Sequence, residues 1–198
     1  MVIIINRSLG LYGGDLAIGA YGIVNRITFL FVMIVIGLNQ GMQPIAGYNF
    51  GAQKYDRVLK VLRYTLLWGT IITTSGFLIG EIIPGVCVRA FTSDPQLIDM
   101  SEKGMRIVVM FFPLIGMQMV TTNFFQSIGL AGKSIFLSLT RQMLFLVPLT
   151  LILPRFWGID GVWYAMPISD LIAWFVATCM LVNHYKKFNL LAKKSNHE

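Results

Sequence analysis

Charge is scarce in this chain of 198 residues. Only 13% of the residues are charged, 56% are hydrophobic and the mean hydropathy is +0.69. A soluble domain needs more polar residues than this to solvate its surface, so the composition argues against one. A membrane-spanning helix requires about 20 apolar residues, so a chain of this length has room for roughly five to seven spans. The composition therefore predicts an integral membrane protein.

Cysteine, histidine and catalytic motifs are equally sparse. Cys87 and Cys179 both lie in apolar stretches without CxxC or Cys/His spacing, which argues against a disulfide framework and a zinc site. The two histidines, His184 and His197, lie close to the C-terminus. The sequence contains no Ser/His/Asp grouping, HExxH motif or glycine-rich phosphate loop. We therefore predict that the protein is not an enzyme and holds no metal or organic cofactor.

Apolar runs of spanning length account for most of the chain. They lack the alternation of membrane strands, and open strands leave their backbone polar groups unsatisfied in lipid. The runs cover residues 16–45, 65–88, 107–128, 135–153 and 162–182. Residues 1–5 are apolar but too few for a span or a signal peptide, and they resemble the end of a helix that begins earlier. The predicted fold is an all-α membrane bundle of about five complete transmembrane helices plus the end of a sixth.

Basic residues cluster in the hydrophilic breaks between these runs. We interpret them as determinants of membrane topology and not as contacts to nucleic acid. They are Lys54, Arg57, Lys60 and Arg63 after the first full helix, Lys133 with Arg141 beyond it, and Lys186, Lys187, Lys193 and Lys194 near the C-terminus. The positive-inside rule places these segments in the cytoplasm, and it places the break at 90–103 outside. We thus predict a transmembrane lobe over 1–182 and a cytoplasmic tail over 183–198, in the inner (plasma) membrane.

Charge within a predicted span is unfavourable and often functional, and Arg26, Glu81 and Asp170 are candidates of this kind. Arg26 either reaches an interface, pairs with a neighbouring helix, or lines a pathway. Glu81 precedes Pro84 near a predicted helix end, where its carboxylate can reach water. Asp170 lies about two turns into the last run and needs a proton or a partner. A structural role and a proton or ion role both remain open for Glu81 and Asp170.

Amide side chains form a second group of candidates within the spans. On one helix, Gln118, Asn123 and Gln126 fall within an arc of roughly 140°, less than half its circumference. The complete set consists of Asn39, Gln40, Gln43, Gln118, Asn123 and Gln126. Such a set either lines a cavity or forms hydrogen bonds between helices. We predict that it lines a substrate pathway, together with Arg26.

Four stretches carry a family resemblance. The segment GLNQGMQPIAGYNFGAQKYDR at 37–57 resembles the end of the second helix in the C-terminal lobe of bacterial transporters of the multidrug and toxic compound extrusion (MATE) family. NRSLGLYGGDLAIGAYGIVNRI at 6–27, FFQSIGLAGKS at 124–134 and LTRQMLFLVPLTLILPRFWGIDGVWYAMPISD at 139–170 are similar to the same lobe, in the same order. The resemblance spans nearly the whole chain.

The resemblance implies a fold and a function. It implies the end of the seventh through the twelfth helix of a two-lobed exporter, which moves cationic or amphipathic compounds by alternating access in exchange for Na+ or H+. The expected partners are membrane lipid, small amphipathic substrates and the N-terminal lobe, without which we expect no transport. The coupling ion is expected to bind outside these residues. Arg141, Gln142 and Asp170 lie in the matching TRQ and PISD strings, and we assign them to the architecture of the lobe before ion binding.

Two alternatives remain open. A lipid-linked oligosaccharide flippase with a similar lobe is expected to line its cleft with several cationic residues, whereas only Arg26 qualifies here. A non-transporting membrane module is expected to pair stably with another subunit that supplies the rest of the bundle.

Overall fold

The computed structural model describes residues 2–195, with the side chains of 187, 189 and 191–195 excepted. Every regular element in this range is a helix, as the composition predicts. The elements are α1 (Val2–Gly51), α2 (Tyr55–Ile82), α3 (Pro84–Arg89), α4 (Pro95–Val109), α5 (Phe112–Ser127), α6 (Ala131–Leu139), a π-helical segment (Thr140–Leu146), α7 (Val147–Ile152) and α8 (Pro154–Ser195).

Glycines interrupt the two longest helices. Gly14 in α1 has φ 67° and ψ −166°, and Gly158 in α8 has φ 55° and ψ −134°. A side chain disfavours positive φ, so glycine is suited to both corners. The break at Gly14 separates a short first helix from the long helix that follows.

The described residues contain five spans if one of them is bent. Four stretches are long and apolar enough to cross a bilayer: Val2–Gly51, Tyr55–Ile82, Ala131–Ile152 and Pro154–Lys186. Helices α4 and α5 form the fifth, with a bend of 52° between them. Pro113 lies in the first turn of α5. Because proline has no backbone N–H to donate, a straight helix through this point would lack a hydrogen bond.

Helix α4 corrects the prediction for the break at 90–103. Most of that stretch is helical, because Asp94 caps α4 by accepting a hydrogen bond from the backbone N–H of Gln96 at 2.9 Å, and Pro95 follows in the first turn. Leu97 and Ile98 pack against the buried core of the bundle. Asp99 and Glu102, which lie in this hydrophilic break, are therefore on an amphipathic helix.

Close helix packing between α2 and α5 depends on small residues. A Cβ at Gly116 would lie 2.5 Å from the carbonyl oxygen of Gly69 and 2.6 Å from Oγ1 of Thr73. The Thr73 hydroxyl also lies 3.3 Å from the carbonyl oxygen of Pro113, to which it donates. Such close approach is the usual basis of helix association in membranes, where lipid is as apolar as the side chains.

Helix α8 continues past residue 182 without a break. Phe188 is buried, and its ring lies about 6 Å from the rings of Phe50, Tyr55 and Phe124, with centroid distances of 5.9, 6.1 and 6.2 Å. The beginning of the predicted tail therefore packs on the ends of three other helices. His197 lies outside the described residues.

Candidate functional site

A buried ion pair joins the π-helical segment to α8. Nε of Arg141 donates to Oδ1 of Asp170 at 2.6 Å, and the two side chains are 30% and 6% exposed. A carboxylate this deeply buried needs a proton or a countercharge, and the guanidinium supplies the countercharge. The structure thus shows the pairing that we considered for Asp170 from the sequence, and it identifies the partner.

The π-helical segment determines where Arg141 lies on its helix. The N–H of Val147 donates to the carbonyl oxygen of Gln142, five residues earlier, in place of the usual four. Pro148 follows at once and has no N–H to donate to the residue four positions before it. The wider turn rotates the side chains within it relative to a regular α-helix, and π-helical turns of this kind are often found at functional sites.

The ion pair lines a cavity of about 190 Å³, which we call the ion-pair cavity. Its polar lining comes from Asn25, Thr28, Arg141, Gln142, Ser169 and Asp170. Its apolar lining includes Tyr21, Phe29, Val32, Phe112, Ile115 and Met166. The cavity is therefore amphipathic, with one carboxylate and one guanidinium as its charged groups among the described residues.

The ion pair determines what the cavity could bind. Asp170 accepts from Arg141, so a ligand cation that reached the same oxygens would compete with that guanidinium. The aromatic rings of Tyr21, Phe29 and Phe112 offer surfaces for the apolar part of such a ligand.

Two of the predicted amide residues bond to each other. Nε2 of Gln43 donates to Oδ1 of Asn123 at 3.0 Å, and Nδ2 of Asn123 donates to the carbonyl oxygen of Met119 at 2.9 Å. For this pair the structure shows an interhelical hydrogen bond between α1 and α5, the alternative that the sequence left open.

The other four amide residues divide into a buried and an exposed pair. Asn39 is 1% exposed and Gln118 is 4% exposed, and neither the amide of Asn39 nor Oε1 of Gln118 has a protein partner. Gln40 and Gln126 are exposed. Neighbouring residues on a helix point about 100° apart, which lets Gln40 face outward while Asn39 is buried. The structure does not bring the six amides together into one patch.

The remaining charged candidates lie away from the ion-pair cavity. Arg26 is exposed, although its neighbour Asn25 lines the cavity. Glu81 lies 4.0 Å from Nη1 of Arg106, and both side chains are about half exposed. No cluster of three or more His, Cys, Asp or Glu side chains that could hold a metal ion occurs between residues 2 and 195.

Several lining residues were missed in the sequence. Asn25 and Thr28 are spaced to lie on one face of α1, while Ser169 adjoins Asp170. Gln142 was selected from the sequence as part of the architecture of the lobe and not as a lining residue. The signal that could have found the others is, for Ser169, its position beside Asp170 and, for Asn25 and Thr28, the spacing of three residues on a helix.

Comparison with known proteins gives a consistent picture. The MatE family model matches residues 1–152. The multidrug export protein MepA of Staphylococcus haemolyticus (strain JCSC1435) is 23% identical over 175 residues, which cover 88% of this chain and 38% of that protein. MepA of Staphylococcus aureus (strain NCTC 8325 / PS 47) is 26% identical over 172 residues, which cover 85% and 37%. The chain thus spans less than two fifths of the length of these relatives.

Solved structures share the same fold. The MATE multidrug transporter DinF-BH, solved as a complex with a ligand, is 36% identical with a TM-score of 0.80, and the match covers 91% of this chain and 41% of that one. A MATE protein in a bent conformation is 20% identical with a TM-score of 0.86, over 98% and 42% of the two chains. At 20% identity, the likeness to the bent MATE structure shows a shared fold and nothing more.

Proposed function

The chain belongs to the MatE family of membrane transporters, and we propose that it acts as one lobe of an exporter that exchanges drugs and other cationic amphipathic compounds for Na+ or H+. The family consists of transporters and not of enzymes. The proposed location is the inner (plasma) membrane, with the C-terminus in the cytoplasm as the basic residues predict.

The observation that carries this proposal is the Arg141–Asp170 pair at the wall of an amphipathic cavity. A ligand with a cationic group and an apolar body matches a carboxylate beside aromatic and aliphatic side chains. The names of the relatives fit this class, since MepA is a multidrug export protein and DinF-BH is a multidrug transporter.

The size of the cavity supports a second lobe. Pockets for drug-sized ligands usually measure about 300–1,000 Å³, whereas the ion-pair cavity measures about 190 Å³. It holds only part of such a ligand. We therefore propose that the rest of the ligand lies in a cleft against the N-terminal lobe, toward which the exposed Gln40, Gln126 and Arg26 would point.

The ion pair also bears on the coupling ion. Arg141 already occupies Asp170, so a cation reaches the carboxylate only by displacing the guanidinium. An amphipathic ligand gains apolar contacts with the cavity lining when it does so, whereas Na+ or H+ gains none. We propose that the coupling ion binds in the other lobe and that Asp170 serves the cargo. A cationic ligand displaces Arg141 from the carboxylate, and the return of Arg141 helps to release the ligand.

Charge distinguishes this proposal from a flippase for lipid-linked oligosaccharides. A cargo of that kind carries phosphate groups and requires cations that are free to bind them. Among the residues that line the ion-pair cavity, Arg141 is the basic one, and it is engaged by Asp170. The non-transporting alternative predicts that the cavity has no cargo.

Transport in proteoliposomes tests the proposal. The chain is reconstituted with the N-terminal lobe of a MatE relative, and movement of ethidium is followed under an imposed Na+ or pH gradient. We expect movement under one of the gradients, its loss when an ionophore dissipates that gradient, and a strong reduction in D170N. D99N, which alters an exposed ion pair, serves as the matched control. Movement without any gradient, or at an equal rate in D170N, would overturn the proposal.

A further inference from the structure

A groove at the beginning of α2 shares no lining residue with the ion-pair cavity. Its volume is about 470 Å³, and its lining consists of Asp56, Leu59, Lys60, Arg63 and Tyr64. We call it the α2 groove. The positive-inside rule assigns this end of the bundle to the cytoplasm, because Lys54 and Arg57 lie on the same segment as the basic residues of the groove.

Helix α8 holds one of the two basic residues of the groove in place. Nε of Arg63 donates to the hydroxyl of Tyr185 at 2.7 Å, and the guanidinium carbon lies 5.7 Å from the centre of the tyrosine ring. The donor in that bond is Nε, and neither Nη group of Arg63 takes part in it. A guanidinium oriented in this way is suited to bind two oxygens of one phosphate.

The balance of charge in the groove favours an anion. Lys60 and Arg63 are both exposed and face a single acidic lining residue, Asp56, which has an interaction of its own. The exposed Lys186 lies on α8 next to Tyr185 and adds a further basic group at this end of the bundle.

The face of α2 beyond the groove matches the rest of a lipid. Tyr64, Leu67, Trp68 and Ile71 are exposed, and they follow the basic residues at helical spacing. From Lys60 to Ile71 the helix rises about 16 Å. Tyrosine and tryptophan are typical of the membrane interface and aliphatic residues of the acyl region, so a headgroup in the groove places its chains along this face.

From these observations we infer that the α2 groove binds the phosphate headgroup of an anionic phospholipid, with Lys60 and Arg63 as ligands and Tyr185 as the residue that positions Arg63. Clusters of Lys and Arg at the cytoplasmic end of a membrane-spanning helix are suited to such headgroups. The inference goes beyond the proposed transport function, and neither depends on the other.

Lipid binding to the purified chain tests the inference. Native mass spectrometry counts the phosphatidylglycerol and phosphatidylcholine molecules retained by the chain, and the unfolding midpoint is measured with each lipid. We expect the chain to retain phosphatidylglycerol in preference to phosphatidylcholine, with a higher midpoint in phosphatidylglycerol. K60Q/R63Q should weaken binding of phosphatidylglycerol roughly tenfold or more. Y185F should bind phosphatidylglycerol more weakly than the unaltered chain but more tightly than K60Q/R63Q, because it removes only the hydroxyl that accepts from Arg63.

Control variants keep the result interpretable. R89Q/K103Q removes two exposed basic residues elsewhere on the molecule and should retain phosphatidylglycerol as the unaltered chain does. K60Q alone preserves the bond between Arg63 and Tyr185, so it reports on binding if the double variant does not fold. The inference would be overturned if the chain retained phosphatidylglycerol and phosphatidylcholine equally. It would also be overturned if K60Q/R63Q bound phosphatidylglycerol as tightly as the unaltered chain does. Full displacement of the lipid by millimolar inorganic phosphate would overturn it too, since that would identify a site for free anions.

Discussion

Arg141 and Asp170 form an ion pair whose Nε–Oδ1 distance of 2.6 Å is nearly the same as the 2.7 Å between Lys103 and Asp99. The surroundings differ. Asp170 is 6% exposed, whereas the side chains of Lys103 and Asp99 are 73% and 69% exposed. Water screens the second pair and scarcely reaches the carboxylate of the first, so the two pairs should respond differently to the same change.

The first prediction concerns the loss of charge in each pair. D170N leaves Arg141 largely buried without a countercharge, and removal of one partner of a buried pair typically costs about 3–5 kcal/mol. Because Arg141 is partly exposed, we expect a value near the lower end. D99N should leave stability unchanged. Thermal unfolding of the purified chain in detergent measures both.

A double variant shows whether D170N loses stability because it leaves Arg141 without a countercharge or because it changes the shape of the Asp170 side chain. R141Q/D170N removes both charges and should recover part of the stability that D170N loses, since no uncompensated charge is left. Equal unfolding midpoints for D170N and D99N would contradict the role of the pair.

The second prediction concerns the contact between α2 and α5. In G116A the new methyl group meets the backbone oxygen of Gly69 at 2.5 Å, and backbone cannot move aside as a flexible side chain can. We expect a destabilisation of about 1–3 kcal/mol, typical of overpacking. G41A is the matched control, because a Cβ at Gly41 meets nothing within 4 Å. Unfolding midpoints that shift equally in the two variants would rule out a tight α2–α5 crossing.

The third prediction concerns the corner at Gly14. A Cβ there would meet nothing within 4 Å, so G14A tests backbone conformation alone. The positive φ of 67° should make alanine unfavourable by about 1–2 kcal/mol. Gly22 lies inside the long helix in equally open space, so G22A should be neutral or stabilising. A G14A variant as stable as G22A in chemical denaturation would contradict the break in α1.

The fourth prediction concerns the bond between Gln43 and Asn123. A double-mutant cycle with Q43L and N123L should give a coupling free energy of about 0.6 kcal/mol, with about 1.7 kcal/mol as the upper range for such bonds in membranes. The measurement is the unfolding free energy of the four proteins. A coupling of zero would mean that the two amides do not support each other across α1 and α5.

The spans could be predicted from the sequence because the bilayer fixes the length of an apolar helix. Each predicted run overlaps a helix or a chain of helices in the structure, and the family resemblance is confirmed by the MatE match. Helix α4 was missed, since its acidic residues lie on the solvent side of an amphipathic helix. Hydropathy averaged along the chain cannot separate such a helix from a polar loop.

The candidate site was only partly predictable. Asp170 and Arg141 were both selected, but their contact joins residues 29 positions apart and depends on a π-helical turn that no local pattern indicates. The amides were selected as one group because each is polar within a span. Their division into the Gln43–Asn123 bond, the buried Asn39 and Gln118, and the exposed Gln40 and Gln126 follows from helix packing, which periodicity alone does not determine.

Efflux of ethidium from cells that lack their own drug pumps tests the central claim most directly. The chain is expressed alone, with the N-terminal lobe of a MatE relative, and with that lobe as the D170N variant, and membrane insertion is verified in each case. We predict loss of ethidium only when the unaltered chain and the lobe are present together. Ethidium loss with the chain alone, or no loss in any case despite insertion, would contradict the assignment of this chain as one lobe of an exporter.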